Sequence, residues 1–300
     1  MKLIESVPNF SEGRRKQVIS QIMQAAERSS NEVTLLDCQS DIDHNRMVLT
    51  LVGDPQAVKK AVFASSAKAV ELIDLTKHSG VHPCMGAVDV VPFIPLGEAT
   101  MEECIRLANE FGQEFAERFS VPVFMYERAA KTDYRRNLAN VRAGQFAALR
   151  DLIGVDRRRD PDYGPRKIHP TAGATAVGAR PILIAFNVDL ETKDVDVAKK
   201  IAKRVRERNG GFLAVKALGF QLKRRGMVQV STNLTDYKQT SILPVFEAIS
   251  KHAEELGVRV AESEIVGLVP RGCLPEDLAL LRLRKFTNNQ IIENRIEKLY

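Results

Sequence analysis

The chain of 300 residues contains no tryptophan, and aromatic residues make up only 6% of it. Proteins that bind single-stranded nucleic acid usually stack its bases on aromatic side chains within a basic groove. No basic run is interleaved with phenylalanine or tyrosine, and no helix-turn-helix or zinc-finger pattern occurs. The formal net charge of +6 therefore argues less for a nucleic-acid partner than for a small acidic ligand.

Long apolar runs and paired cysteines are also missing. No stretch of about 18 apolar residues occurs, so the sequence predicts no membrane span. The start of the chain lacks the apolar core of a signal peptide, which favours a cytoplasmic location. The cysteines have no paired spacing, which argues against a zinc site, haem attachment or a disulfide framework. They are Cys38, Cys84, Cys104 and Cys273.

Strand and helix patterns alternate along the chain in two similar series. The order strand–helix–strand–strand–helix–strand runs from Lys2 to Leu96, and the same order returns from Ile182 to Val266. A hydrophobic content of 44% is enough to bury a sizeable core. We therefore expect an α/β fold of the α+β type, with two similar βαββαβ subdomains, mixed or antiparallel sheets, and helices packed on them.

Several helix boundaries are predicted by local signals. Ser11 is the expected N-cap of the first helix, Asp54-Pro55 should start the second, and Thr100 with Glu103 forms a capping box for the third. A single helix is predicted over residues 137–152. Four spaced apolar residues predict a terminal helix: Ile291, Ile292, Ile296 and Leu299.

A stretch without regular pattern, residues 155–178, separates the two series and is rich in glycine, proline and arginine. Segments of this length without secondary structure are usually functional or are linkers. We expect a first subdomain of residues 1–178 that ends in this basic stretch, and a second subdomain of residues 179–300.

His82 lies in a short loop between a helix that ends near Gly80 and a strand that begins near Ala87. Pro83 restricts the backbone of the residue before it, and a stiff loop can hold a general base at a fixed distance from a substrate. A histidine that only bonds loop carbonyls is the alternative. His78 has the spacing of a second metal ligand, but Gly80 and Pro83 would break the helix that such a pair needs, so no metal is expected.

The chain also carries short motifs in order over nearly its whole length. They are Ser6-Val7-Pro8-Asn9-Phe10-Ser11-Glu12-Gly13, Asn45-Arg46, Val52-Gly53, His82-Pro83, Met85-Gly86-Ala87, Asp89, Arg142-Ala143-Gly144, Tyr163-Gly164-Pro165, Gly173-Ala174-Thr175, Gly178-Ala179-Arg180, Ala185-Phe186-Asn187, Gln229-Val230-Ser231-Thr232-Asn233 and Val266-Gly267-Leu268-Val269-Pro270. These motifs resemble those of the glutamate formimidoyltransferases, also called formiminotransferases. The chain looks like the transferase module alone, without the cyclodeaminase domain to which it is fused in animal versions.

The resemblance implies transfer of the formimidoyl group from N-formimidoyl-L-glutamate to tetrahydrofolate, which gives 5-formimidoyltetrahydrofolate and glutamate in histidine degradation and one-carbon metabolism. It implies tetrahydrofolate as co-substrate, a homodimer, and two α/β subdomains with folate in an electropositive passage between them. Transfer of formyl from 5-formyltetrahydrofolate to glutamate is an alternative within the enzyme class. A folate-binding module without turnover is an alternative from another class.

The chemistry of that reaction needs a group that both accepts and donates protons. Attack by N5 of tetrahydrofolate releases a proton, and the departing glutamate nitrogen must gain one. Histidine can perform both transfers near neutral pH, so His82 is the predicted general acid–base. Asp41 or Asp43 is the predicted supporting carboxylate, although both could simply cap their own turn. Animal members carry an aspartate at the position of Gln39, so that role does not carry over directly.

Four residues are predicted to bind the formimidoylglutamate substrate, since an arginine fork and side-chain amides suit its carboxylates. They are Asn9, Asn45, Arg46 and Arg180, although Asn45 and Arg46 could also be turn structure. The resemblance assigns folate to the segment 164–173, here called the folate segment. Its residues are Gly164, Pro165, Arg166, Lys167, Ile168, His169, Pro170, Thr171, Ala172 and Gly173. Animal members carry a bulky aromatic at the position of Ala172.

Overall fold

A computed structural model describes residues 2–297 of the chain. The chain divides into two compact units, Met1–Arg180 and Pro181–Tyr300, and each forms its own sheet. No helix among the described residues is long and apolar enough to cross a membrane.

The first unit contains a mixed sheet of seven strands. The strands are β1 Lys2–Ser6, β2 Asn9–Phe10, β3 Val33–Asp41, β4 Arg46–Gly53, β5 Val88–Gly97, β6 Val123–Glu127 and β7 Thr175–Ala179. β7 pairs in parallel with β5 on one side and with β6 on the other. The pairs formed among β1, β2, β3, β4 and β5 are antiparallel. The helices are α1 Lys16–Glu27, α2 Pro55–Leu72, α3 Met101–Phe119, α4 Leu138–Val141 and α5 Gln145–Leu152.

Helices α1, α2 and α3 cover one face of this sheet and enclose the main apolar core, to which Ile4, Phe10 and Met47 contribute. Because side chains alternate along a strand, the residues next to these three point to the opposite face. α4 and α5 lie on that opposite face, where they bury a second apolar cluster with residues of β5, β6 and β7. The remaining part, here called the polar face, carries Glu5, Asn9 and Arg46.

The second unit is smaller, and its sheet is entirely antiparallel. Its strands are β8 Ile184–Leu190, β9 Val215–Leu222, β10 Met227–Leu234 and β11 Val260–Val266, and its helices are α6 Val195–Val205, α7 Ile242–Glu255 and α8 Ile292–Ile296. The strand order is β11-β8-β10-β9, and one apolar core joins the sheet to α6 and α7. The predicted α/β class with mixed and antiparallel sheets is therefore confirmed, and the order βαββαβ occurs in both units.

Two of the predicted helix starts are confirmed. The Asp54 carboxylate accepts hydrogen bonds from the backbone at the start of α2, and Thr100 forms the capping box of α3 with Glu103. The prediction for Ser11 was wrong, since α1 begins at Lys16 with Arg15 as its N-cap. The terminal helix contains Ile292 and Ile296 but not Ile291, and Leu299 lies outside the described residues.

The structure differs from the prediction over residues 137–178. The single predicted helix is interrupted at Gly144, whose φ of +82° places it in the left-handed region, and α4 and α5 lie on either side. The stretch 155–178 contains the start of β7, which lies between β5 and β6 in the sheet. Its small residues show no alternation because a central parallel strand is buried on both faces.

Candidate active site

The loop that carries His82 is tied to the protein by a buried carboxylate. Asp89 at the start of β5 accepts a hydrogen bond from the Met85 backbone N–H through Oδ1, at 2.8 Å. Its other oxygen, Oδ2, forms an ion pair with Arg142 at the end of α4. Asp89 is 1% exposed, so this pair fixes the loop end from within the core. The loop is also held at Ser11, whose hydroxyl donates to the Gly86 carbonyl at 2.7 Å.

The His82 ring contacts the polar face through Arg46. Arg46 Nη1 lies 3.0 Å from His82 Nε2 and 3.2 Å from Asn9 Oδ1. The Asn9 amide is oriented by a bond from its Nδ2 to the Val7 carbonyl at 2.9 Å. A guanidinium has donors and no acceptor, so Nε2 of His82 must be the acceptor, and the proton of the neutral ring lies on Nδ1. The structure thus brings together three of the predicted site residues.

The surroundings of His82 favour its neutral form. Burial lowers the pKa of His82 well below its ordinary value, and the positive charges of Arg46 and Arg142 and the rings of His44 and His78 lower it further. The His44 ring meets it edge-on, with the ring centroids 6.2 Å apart. A neutral imidazole can accept a proton at neutral pH, which is the state that a general base needs.

Asn45 joins three segments around the site. It has a positive φ of 48°, which asparagine tolerates better than most residues. Its Oδ1 accepts the Gly13 N–H at 2.9 Å, and its Nδ2 donates to the Ser79 carbonyl at 3.0 Å. The same Nδ2 lies 3.3 Å from His78 Nδ1. These contacts make Asn45 part of the frame of the site, and its binding of substrate stays a prediction.

The two turn aspartates bond to their own surroundings. Asp41 Oδ1 accepts the His44 backbone N–H at 2.6 Å, and the Asp43 carbonyl accepts the Val81 N–H at 3.2 Å. Within residues 2–297, neither carboxylate is hydrogen-bonded to His82. For Asp41 this contact matches the turn-capping alternative. Support of His82 by either aspartate stays a prediction, which a ligand-bound structure would test.

Arg180 belongs to a second group of polar side chains at the end of β7. Its backbone N–H donates to the Phe93 carbonyl at 3.1 Å. Its charge acts on buried Glu5, where burial raises the carboxyl pKa to about 7 and Arg180 lowers it in part. Tyr126 is also buried beside Arg180, and burial raises the pKa of its phenol. Neither Glu5 nor Tyr126 was among the predicted site residues.

The folate segment and the residue that follows it, Ala174, are bonded directly to the His82 loop. The Ala87 N–H donates to the Ala172 carbonyl, and the Ala174 N–H donates to the Met85 carbonyl, both at 2.9 Å. Gly173 has a φ of +72°, and a side chain there would collide with the Met85 carbonyl. Only glycine therefore lets the two segments approach this closely.

Inside the folate segment, His169 has a local role in the backbone. Its Nδ1 accepts the N–H groups of Thr171 and Ala172 at 3.3 and 2.9 Å, and burial lowers its pKa. Ile168 and Ala172 are buried in the two apolar clusters of the first unit. The segment is thus a folded turn with an apolar underside.

The charged residues of the folate segment are exposed. Arg166 forms a two-pronged ion pair with Asp160, with Nε to Oδ1 at 3.0 Å and Nη2 to Oδ2 at 2.9 Å. Lys167 is exposed beside it, as are Gly164, Pro165 and Pro170. Only solvent-facing members of the segment are available to a polar ligand in this arrangement.

Sequence reasoning missed Arg142, which lies far from His82 along the chain yet acts on its ring. The motif Arg142-Ala143-Gly144 is the signal in the sequence that could have found it. Among the described residues, no group of three or more histidine, cysteine, aspartate or glutamate side chains is arranged to hold a metal ion.

Comparison with known proteins finds a matching family model for each of the two units. The family model of the formiminotransferase domain, N-terminal subdomain, matches residues 3–180, and that of the formiminotransferase domain matches residues 185–294. The chain therefore belongs to the formiminotransferase family.

Two similar proteins match this chain over nearly their whole length, and a third is longer. A glutamate formimidoyltransferase of Streptococcus pyogenes serotype M1 is 44% identical over 298 residues, which cover 98% of this chain and 99% of that protein. One from Thermoplasma acidophilum is 42% identical, with 99% of this chain and 98% of the relative covered. A formimidoyltransferase-cyclodeaminase of Dictyostelium discoideum is 43% identical over 90% of this chain, which spans 51% of that longer protein.

Proposed function

We propose that this chain is a glutamate formimidoyltransferase, which moves the formimidoyl group from N-formimidoyl-L-glutamate to tetrahydrofolate. Tetrahydrofolate is then a co-substrate, and the products are 5-formimidoyltetrahydrofolate and L-glutamate, within histidine degradation. Full-length similarity to two glutamate formimidoyltransferases supports the activity. The contact of His82 Nε2 with Arg46 is the structural observation that carries it, because it places a neutral base beside a group that binds carboxylates.

The reaction follows from the protonation state of His82. The ring is neutral before reaction, so it can take the proton released as N5 of tetrahydrofolate attacks the amidine carbon. The tetrahedral intermediate then breaks its bond to the glutamate nitrogen. The imidazolium returns the proton to that nitrogen, and the ring becomes neutral again.

The predicted binding residues fall into two sets, one for each substrate. Arg46 and Asn9 lie in contact beside His82, which supports a role in holding a carboxylate of formimidoylglutamate. Arg180 acts beside Glu5 and is the candidate for a second carboxylate. The backbone bonds between the folate segment and the His82 loop support placement of the pterin next to the base.

A turnover assay with both one-carbon donors tests this function. We expect the purified chain to consume N-formimidoyl-L-glutamate only when tetrahydrofolate is present, with release of L-glutamate and formation of 5-formimidoyltetrahydrofolate. A chain that turned over only 5-formyltetrahydrofolate with glutamate would contradict the proposal. Tight folate binding without turnover of either donor would instead indicate a binding module.

Three further assignments stay predictions. The family resemblance implies a homodimer, the lack of a signal-peptide core favours a cytoplasmic location, and the strand and helix pattern predicts subdomains of residues 1–178 and 179–300.

The basic folate segment should make folate binding sensitive to salt. Exposed charges are screened over about 8 Å at physiological ionic strength, so attraction of folate carboxylates to Arg166 and Lys167 should weaken as salt rises. Changing both residues to glutamine should weaken binding at low salt by roughly twofold to thirtyfold, since each exposed ion pair contributes about 0.2–1 kcal/mol. The variant should also discriminate less between short and long glutamate tails.

Titrating folate at low and high salt measures this effect. A matched control changes Lys16 and Lys60 to glutamine, because both are exposed and belong to helices on the other face of the sheet. The control should keep the wild-type salt slope. An unchanged slope in the Arg166 and Lys167 variant would show that the segment is a solvated linker.

A further inference from the structure

We propose that Arg46 keeps His82 inactive as a base until a carboxylate of the substrate takes the arginine away. The inference rests on the proposed function, because it needs a substrate that carries a carboxylate. It adds to that function a control step in which binding of the one-carbon donor frees the base.

The lone pair on His82 Nε2 already accepts a hydrogen bond. Arg46 Nη1 donates to His82 Nε2 at 3.0 Å, and the same nitrogen lies 3.2 Å from Asn9 Oδ1. The lone pair on Nε2 is the one that a neutral ring protonated at Nδ1 would use to accept a proton. While Arg46 holds this position, the donor N–H occupies the place that the proton of tetrahydrofolate must reach.

A carboxylate is a better partner for the guanidinium than a neutral imidazole. Both contacts have an ionised donor, but a carboxylate also carries the opposite charge and can accept two parallel bonds from an arginine, whereas a neutral imidazole accepts one and carries no charge. Arg46 is only half-buried, so an incoming ligand can reach it. Binding of the substrate should therefore replace the Arg46–His82 contact by an Arg46–carboxylate contact.

The electrostatic consequence follows from the charges around the ring. The groups that act on His82 are Arg46 on β4, Arg142 at the end of α4, His44 in the turn before β4, and His78 on the same loop. Arg142 is already paired with Asp89. A carboxylate that neutralises Arg46 removes positive potential from the ring, so the protonated form becomes less unfavourable and the pKa of His82 rises.

Nuclear magnetic resonance of the histidine rings tests the proposal, with L-glutamate as the probe. In the wild-type protein, saturating L-glutamate should raise the protonated-to-neutral ratio of His82 at a fixed pH by about tenfold, which corresponds to one pKa unit. In the variant Arg46→Gln, the pKa of His82 should already be raised in the free protein, and L-glutamate should not raise it further. Arg14→Gln is the matched control, because Arg14 is also an arginine close to the turn between β3 and β4, where it bonds to the Ile42 carbonyl. It should behave as the wild type.

The outcomes separate this proposal from the proposed function. If the wild type turns over and binds L-glutamate but the His82 titration does not move, the release of His82 by substrate is overturned and the enzymatic function stands. A titration in free Arg46→Gln identical to that of the wild type would overturn it as well. Absence of both turnover and L-glutamate binding would overturn both proposals.

Discussion

Replacing His82 with alanine should lower kcat by about 10²–10⁴-fold, the usual contribution of a positioned general acid–base. Folate affinity should stay close to the wild-type value, because the folate segment is held by backbone bonds to Met85 and Ala87 that do not involve the ring. A loss in kcat with unchanged binding marks an interaction needed only in the transition state. Steady-state kinetics with N-formimidoyl-L-glutamate and a folate-binding titration would measure both.

A second alanine variant controls for the loss of a histidine as such. His252 is the matched choice, because it lies on α7 of the second unit and its ring contacts Arg204 and Glu255. His252→Ala should retain wild-type turnover. Near-normal turnover in folded His82→Ala would remove His82 from the catalytic role.

Replacing Asp89 with alanine should have the second largest effect. The change would leave Arg142 without its partner and free the Met85 N–H. Removing one member of a buried ion pair typically costs about 3–5 kcal/mol in the free energy of unfolding. Because Asp89 also fixes the loop of His82, kcat should fall together with stability. Denaturant unfolding and turnover at low temperature, where the variant stays folded, would measure the two effects.

Asp89→Asn separates the effect of the hydrogen bond to Met85 from the effect of the negative charge that faces Arg142. Asparagine keeps an oxygen for the Met85 N–H but loses the negative charge that faces Arg142. We expect its free energy of unfolding and its kcat to lie between those of Asp89→Ala and the wild type. Wild-type stability in Asp89→Ala would show that Arg142 finds another partner and that the buried pair does not hold the loop.

Local patterns predicted most of the fold, and the failures have physical causes. The helix starts at Asp54 and Thr100 depend on residues within one turn, so their sequence is sufficient. β7 was missed because its small side chains are selected by close packing between two strands that are distant in the sequence. Gly144 breaks the helix in a place where the apolar pattern continues on both sides.

The candidate site was predictable where residues are neighbours in the motif or share an obvious chemistry. His82, Arg46 and Asn9 were predicted separately, and the structure brings them into contact. The partner of His82 was not predictable, because the choice between a carboxylate and a guanidinium depends on which side chain the strand β4 directs toward the ring. The influence of Arg142 depends on tertiary packing alone.

The backbone bonds between the folate segment and the His82 loop also limit how the family can vary in length. An inserted or deleted residue near Gly173 would shift the register of the Ala172 and Ala174 bonds and displace the loop on the other side. The turn at Gly226, between β9 and β10, has no comparable neighbour, since a side chain there would meet only the end of Lys193. Insertions in natural members should therefore occur mainly at turns without closely packed neighbours, such as the turn at Gly226. Peptide tags for engineering are best placed there as well.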